Sequence, residues 1–151
     1  MKMSPEFARA MHNMQPGEIT ADGFLGDDER ALVDIIAADE AAMAELGLTF
    51  DECSDRLEYL MEAGRKGLGE PVTVEGKWRI KTDEARGMLP SPFEDGVFRK
   101  VNATIAKVSD AAVYVRITSL SLHLMRKYHF LQGRGASFRI EPATLKQVLF
   151  V

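Results

Sequence analysis

Few side chains in this sequence combine a type and a spacing that chemistry requires. Asp39 is the most anomalous. With successive residues placed about 100° apart around a helix, Leu32, Ile35, Ile36, Ala42, Met43 and Leu46 share one apolar arc, and Asp39 falls in its middle. A carboxylate in that position must be paired, protonated or at the core edge. An arginine from later in the chain is the expected partner, and an active-site acid is the alternative. His123 is the other acid–base candidate, because an imidazole lining a pocket titrates near neutrality and suits proton transfer. Asp39 and His123 would serve an enzyme acting on an anionic substrate only if the fold made them converge in one cleft.

Metal chemistry has no support in the spacing. His123 and His129 are six residues apart, about 120° on a helix, so they cannot share an ion as an i, i+4 pair does. HExxH, CxxC and EF-hand spacings are absent, and neither a metal nor a cofactor is expected. The acidic stripe Asp51, Asp55, Glu58 and Glu62 reads as a solvated helix face. Cys53, the single cysteine, lies on the apolar face of the same helix and reads as a buried, inert thiol. Ser91 lacks the GxSxG context of a serine nucleophile.

Anion binding has better support. Gly133-Arg134-Gly135-Ala136-Ser137 combines glycines, which expose backbone N–H groups, with Arg134 and nearby Arg139, which suit a phosphate or carboxylate. It matches neither the P-loop nor the dinucleotide fingerprint, and a plain tight turn is the alternative. The helix end carrying His123 and Arg126, and the segment 86–93 that begins with Arg86, complete the expected ligand-binding set: Arg134, Arg139, His123, Arg126 and Arg86. Segment 86–93 mixes apolar with rigid residues and either covers a core edge or lines a site. Lys77, Arg79 and Lys81 alternate along one strand face, which could track phosphates, although no RNP-type aromatic signature accompanies them.

The elements that must position these groups follow from periodicity. Ser4-Pro5-Glu6 starts a short helix to about residue 13, followed by a loop over 15–26. A helix is expected from about Asp27 to Leu46, with Asp27, Asp28 and Glu29 at its positive end and Gly47 as its stop. Thr49 and Glu52 form a capping-box pattern opening the next helix, which ends near Gly64 or Gly67. The period then falls to two: residues 72–74 and 78–80 form a hairpin around Glu75-Gly76-Lys77, and residues 97–108 pair with 113–117. Residues 83–96 read as a loop. Residues 118–131 fit either period, and a buried helix with Ser119 as N-cap and Gly133 as stop is favoured. A short strand over 136–140 and a helix from Pro142 close the chain.

This order predicts an α+β fold, with N-terminal helices on a small antiparallel sheet of about four or five strands and one or two C-terminal helices. One domain is expected over 1–151: a short helix and loop (1–26), an acidic helical hairpin (27–67) and a basic, mostly β part (71–151). The 151 residues carry a net charge of −4, which argues against a general polyanion binder. That figure hides an asymmetry. Residues 1–64 hold 4 basic and 15 acidic side chains, whereas residues 65–151 hold 15 basic and 8 acidic ones. The two parts either neutralise each other or present charge to other molecules.

The first residues include Glu6 and lack a continuous apolar stretch, and no run approaches the length of a membrane span. A cytoplasmic protein is therefore expected, not associated with membranes. The expected function is binding or regulation, through a cationic surface that takes a small anionic ligand or an acidic protein. A second copy of the chain is a further expected partner. A nucleic-acid-binding module using the basic strands and a small enzyme on an anionic substrate are the alternatives.

Overall fold

The alternation of apolar and polar residues in the second half of the chain produces a four-stranded antiparallel sheet of order β1-β2-β3-β4 in the computed structural model, which describes residues 2–150. The strands are β1 (Val72–Val74), β2 (Trp78–Pro90), β3 (Val97–Lys107) and β4 (Tyr114–Thr118). Helices α1 (Pro5–Asn13), α2 (Leu32–Glu45) and α3 (Phe50–Arg65) precede the sheet, and α4 (Ser119–Tyr128) and α5 (Pro142–Leu149) follow it. The fold is α+β. Among the described residues no helix is long and apolar enough to cross a membrane.

The sheet has one covered and one open face. Trp78, Ile80, Val101, Ala103, Ile105, Val115 and Ile117 are buried with Leu57, Leu60 and Met61 of α3 and with Leu145, Val148 and Leu149 of α5 in the main core. A second core joins α1, α2 and the 24–25 segment through Ala10, Met14, Phe24, Leu32, Ile35 and Phe93. Helix α4 lies between the two: Leu122 and Met125 enter the main core, while Leu120 and Leu124 enter the second. That double burial explains why the sequence of α4 fits no single apolar stripe. On the open face, Arg79, Lys81 and Asp83 of β2 are exposed, and cross-strand register aligns Lys81 with Thr104 and Arg116, and Asp83 with Asn102 and Thr118.

Several expected boundaries move. Helix α2 begins at Leu32, not Asp27, because the Asp28 carboxylate bonds the Arg30 backbone N–H and guanidinium and folds 26–31 into a turn. Residues 83–90 are strand, not loop. β2 and β3 pair along most of their length, and a bulge between Ala85 and Met88 accommodates Arg86 and Gly87, the latter at φ +94°. The glycine and prolines that suggest a loop therefore mark a bulge and a strand end. Helix α4 is capped by Thr118, in a reciprocal box with Ser121, and not by Ser119. It stops at His129, whose left-handed backbone (φ 58°) is the C-cap, four residues before Gly133. Residues 136–140 form no strand. Their N–H groups close turns instead, from Ala136 to Gly133 and from Arg139 to Ala136.

Candidate functional site

The expected site residues are mostly bound to the chain's own opposite charges. Both Asp39 oxygens accept from the Arg139 guanidinium, at 2.6 and 2.9 Å, and Asp39 is 5% exposed. Arg139 also donates to Glu141 and to the Gln132 carbonyl. Burial works against the Arg139 charge, but its bonds to Asp39 and Glu141 outweigh that and raise its pKa above the ordinary value. The same bond from Arg139 lowers the Glu141 pKa. Asp39 is thus a structural partner, as its place on an apolar arc suggested.

Arg126 donates to Asp55 and Glu58 of the acidic stripe on α3, and Glu62 of that stripe meets Arg65. Docked opposite charges account for part of the asymmetry between the two halves of the chain. His123 Nε2 lies 2.9 Å from Asp95 Oδ2, which also accepts from Lys127 and from the Tyr128 hydroxyl. Burial pushes the Asp95 carboxyl up, but the donors Ser91, Tyr128, Lys127 and His123 outweigh it and hold the carboxyl well below the usual range. The turn after β2 and the His123 side chain therefore do come together, through Asp95.

The 133–135 turn holds an anion that the chain itself supplies. The Arg134 N–H points at Asp28 Oδ2, 3.3 Å away, and the Asp27 N–H donates to the Arg134 carbonyl. The Arg30 guanidinium, helped by that N–H, keeps the Asp28 carboxyl far below its ordinary pKa. No sequence signal indicated that Asp28 would fill this turn. The glycines are there for close packing: a Cβ on Gly133 would sit 2.2 Å from the Leu25 carbonyl oxygen.

The cations expected to bind ligand do not surround one cavity. His123 and Arg126 line a hollow of about 550 Å³ beside α4, and Arg139 lines another of about 250 Å³; Arg134 and Arg86 line neither. Among the described residues, no group of three or more His, Cys, Asp or Glu side chains is placed to hold a metal ion.

A different cleft, of about 490 Å³, lies at the far end of the open sheet face. The cross-strand row Asp83–Asn102–Thr118 and the pair Ala85–Lys100 line it from the sheet. Ile19, Leu89, Leu120 and Phe138 supply apolar lining, and Arg99 and Lys100 supply charge. Its two carboxylates already have partners: Asp83 meets Lys81 at 3.0 Å, and Glu84 meets Arg65. Arg99 and Lys100 have no carboxylate partner among the described residues. Sequence reasoning missed the cleft because residues 83–90, which supply its β2 wall, read as loop. The only available signal was two adjacent cations at the start of an alternating run. Comparison with known protein families, characterised proteins and solved structures finds nothing that matches this chain.

Proposed function

We propose that this protein binds a small organic anion in the cleft lined by Arg99, Lys100, Asn102, Leu89 and Phe138. One observation carries the reading: Asp83 is paired with Lys81 and Glu84 shares Arg65 with Glu62, while the two cations beside them have no carboxylate partner among the described residues. The cleft therefore offers two cations without carboxylate partners in a molecule of net charge −4. Charge-assisted hydrogen bonds would fix the anion, and the apolar lining would take the rest of the ligand. Binding, and not catalysis, is the better description, because Asp39 is bound on both oxygens by Arg139. An acidic protein fits less well, since the cations lie within a concave cleft. A cytoplasmic setting accords with a single cysteine, which can form no intrachain disulfide.

Calorimetric titration with benzoate and phenyl phosphate tests this. Binding is expected to weaken as salt rises, and to fall about tenfold or more in Arg99→Gln or Lys100→Gln, the loss of one charge-assisted bond. Affinity unchanged in both variants would refute the assignment.

A second reading rests on Arg79, Lys81 and Arg116 sharing the open sheet face. Lys81 already meets Asp83, and Arg116 lies over the Phe138 ring at 4.8 Å, so of these three only Arg79 has neither contact. Absence of DNA or RNA binding at low salt eliminates nucleic acid as a partner.

A further inference from the structure

The anion cleft continues into a smaller, more enclosed hollow of about 150 Å³ that shares Thr20, Ala21, Leu89, Thr118, Leu120 and Phe138 with it. Phe24 and Gln132 also line this inner space. A dry cavity of about 150 Å³ is large enough for one benzene ring. The apolar lining and the aromatic side chains Phe24 and Phe138 suit a planar ring.

Gln132 makes the hollow more than an apolar gap. It is 4% exposed, and no protein group among the described residues hydrogen-bonds its carboxamide. Its carboxamide is not sealed in the core: it opens onto the hollow, where a ligand group can bond it. Its backbone is also held in the left-handed region, at φ 72°, and its carbonyl accepts from Arg139 Nη1 at 3.0 Å. A left-handed backbone is unfavourable for a side chain of this size, and it persists here because the Arg139–Asp39 pair fixes the segment. The Asp39 anomaly thus positions Gln132. Asp22, the one ionisable residue lining the inner hollow, disfavours an anion there and directs the charged end of a ligand outward to Arg99 and Lys100.

We infer that the ligand is an aromatic or heteroaromatic ring carrying a hydrogen-bonding substituent and an anionic head group. The ring occupies the inner hollow, its substituent bonds the Gln132 carboxamide, and a carboxylate or phosphate head meets Arg99 and Lys100. This rests on the anion-binding reading above and adds the ring and the substituent to it.

The experiment titrates the full chain with four probes: 4-hydroxyphenylacetate, phenylacetate, 4-hydroxyphenyl phosphate and ringless hexanoate. The hydroxylated aryl probes are expected to bind at least about tenfold more tightly than phenylacetate, because a site built to bond a substituent rejects the analogue that lacks it. The carboxylate and phosphate members identify the head group. Gln132→Leu is expected to abolish the preference while both aryl carboxylates still bind. Equal affinity for phenylacetate and its hydroxylated form in the unaltered protein overturns the Gln132 role, without needing a variant to fold. Hexanoate binding as tightly as the aryl probes overturns the ring. In both cases anion binding survives if Arg99→Gln still weakens every probe. Absence of binding by all four at millimolar concentration overturns the inference and the anion-binding reading together.

Discussion

At the residue scale, the buried Asp39–Arg139 pair and the exposed Arg126 cluster involve the same kinds of charge but different energetics. Arg139 and Asp39 side chains are 11% and 7% exposed, so removing one leaves the other charge buried and unpaired. Arg139→Met is expected to cost about 3–5 kcal/mol in urea unfolding, with Arg139→Met/Asp39→Leu recovering much of it. Arg126→Ala, which opens a pair at a solvated surface, is expected to cost less than about 1 kcal/mol. A similar cost for both variants would mean that burial does not separate them. Cys53 gives a second check. Burial first, then Glu52, pushes its thiol up to about 11, against a smaller opposing effect of Arg56. A thiol reagent at pH 8 is expected to modify Cys53 only at the rate at which the protein opens, and rapidly in denaturant. Rapid labelling of the folded protein would contradict the inert role.

At the element scale, the turn at 133–135 joins the 24–28 segment to the end of α4 by close backbone contact. Phe24 accepts from the Gly133 N–H, and the Arg134 carbonyl accepts from the Asp27 N–H. This packing builds one wall of the inner hollow from Phe24 and Gln132. Gly133→Ala is expected to destabilise the fold by more than about 2 kcal/mol, since its methyl would meet backbone that cannot rotate away. Gly17→Ala has open space and bears only the left-handed backbone penalty, about 1 kcal/mol. Denaturation midpoints of the two variants compare them directly, and equal losses would show that the close approach is dispensable.

At the scale of the whole molecule, charge links the acidic helices to the basic sheet part and sets the response to acid. Asp28, Asp95 and Glu141 are all held below their ordinary pKa values by cations or hydrogen-bond donors. A carboxyl that is more acidic when folded contributes stability that is fully present above its unfolded value, about 4, and is lost as pH falls through its folded value. The urea midpoint is therefore expected to change little from these groups between pH 7 and 5, and to fall steadily below about pH 4. Asp95→Asn should shallow that fall. A midpoint independent of pH down to 2.5 would contradict the coupling.

Local sequence determined much of this protein. Thr49 caps α3 through the Glu52 N–H as the T-x-x-E pattern indicated, and the 72–80 hairpin turns at Glu75-Gly76 with both residues in the left-handed region. The apolar arc around Asp39 already required that carboxylate to be paired, protonated or at the core edge, whatever the fold. Tertiary structure decided the rest. Arg86-Gly87 reads as a loop in isolation and becomes a bulge only because β3 lies alongside to pair with the strand on both sides of it. Asp28 suits a helix N-terminus locally, yet it folds a turn and meets the Arg134 N–H. Arg99 and Lys100 are two more cations in a basic stretch, distinguished only by which carboxylates the fold assigns to Lys81 and Arg65. Charge pairing and cavities depend on residues distant in sequence, so periodicity and capping patterns cannot encode them. The cleft and its inner hollow exist only where the 19–24 segment, the strand register and Phe138 meet.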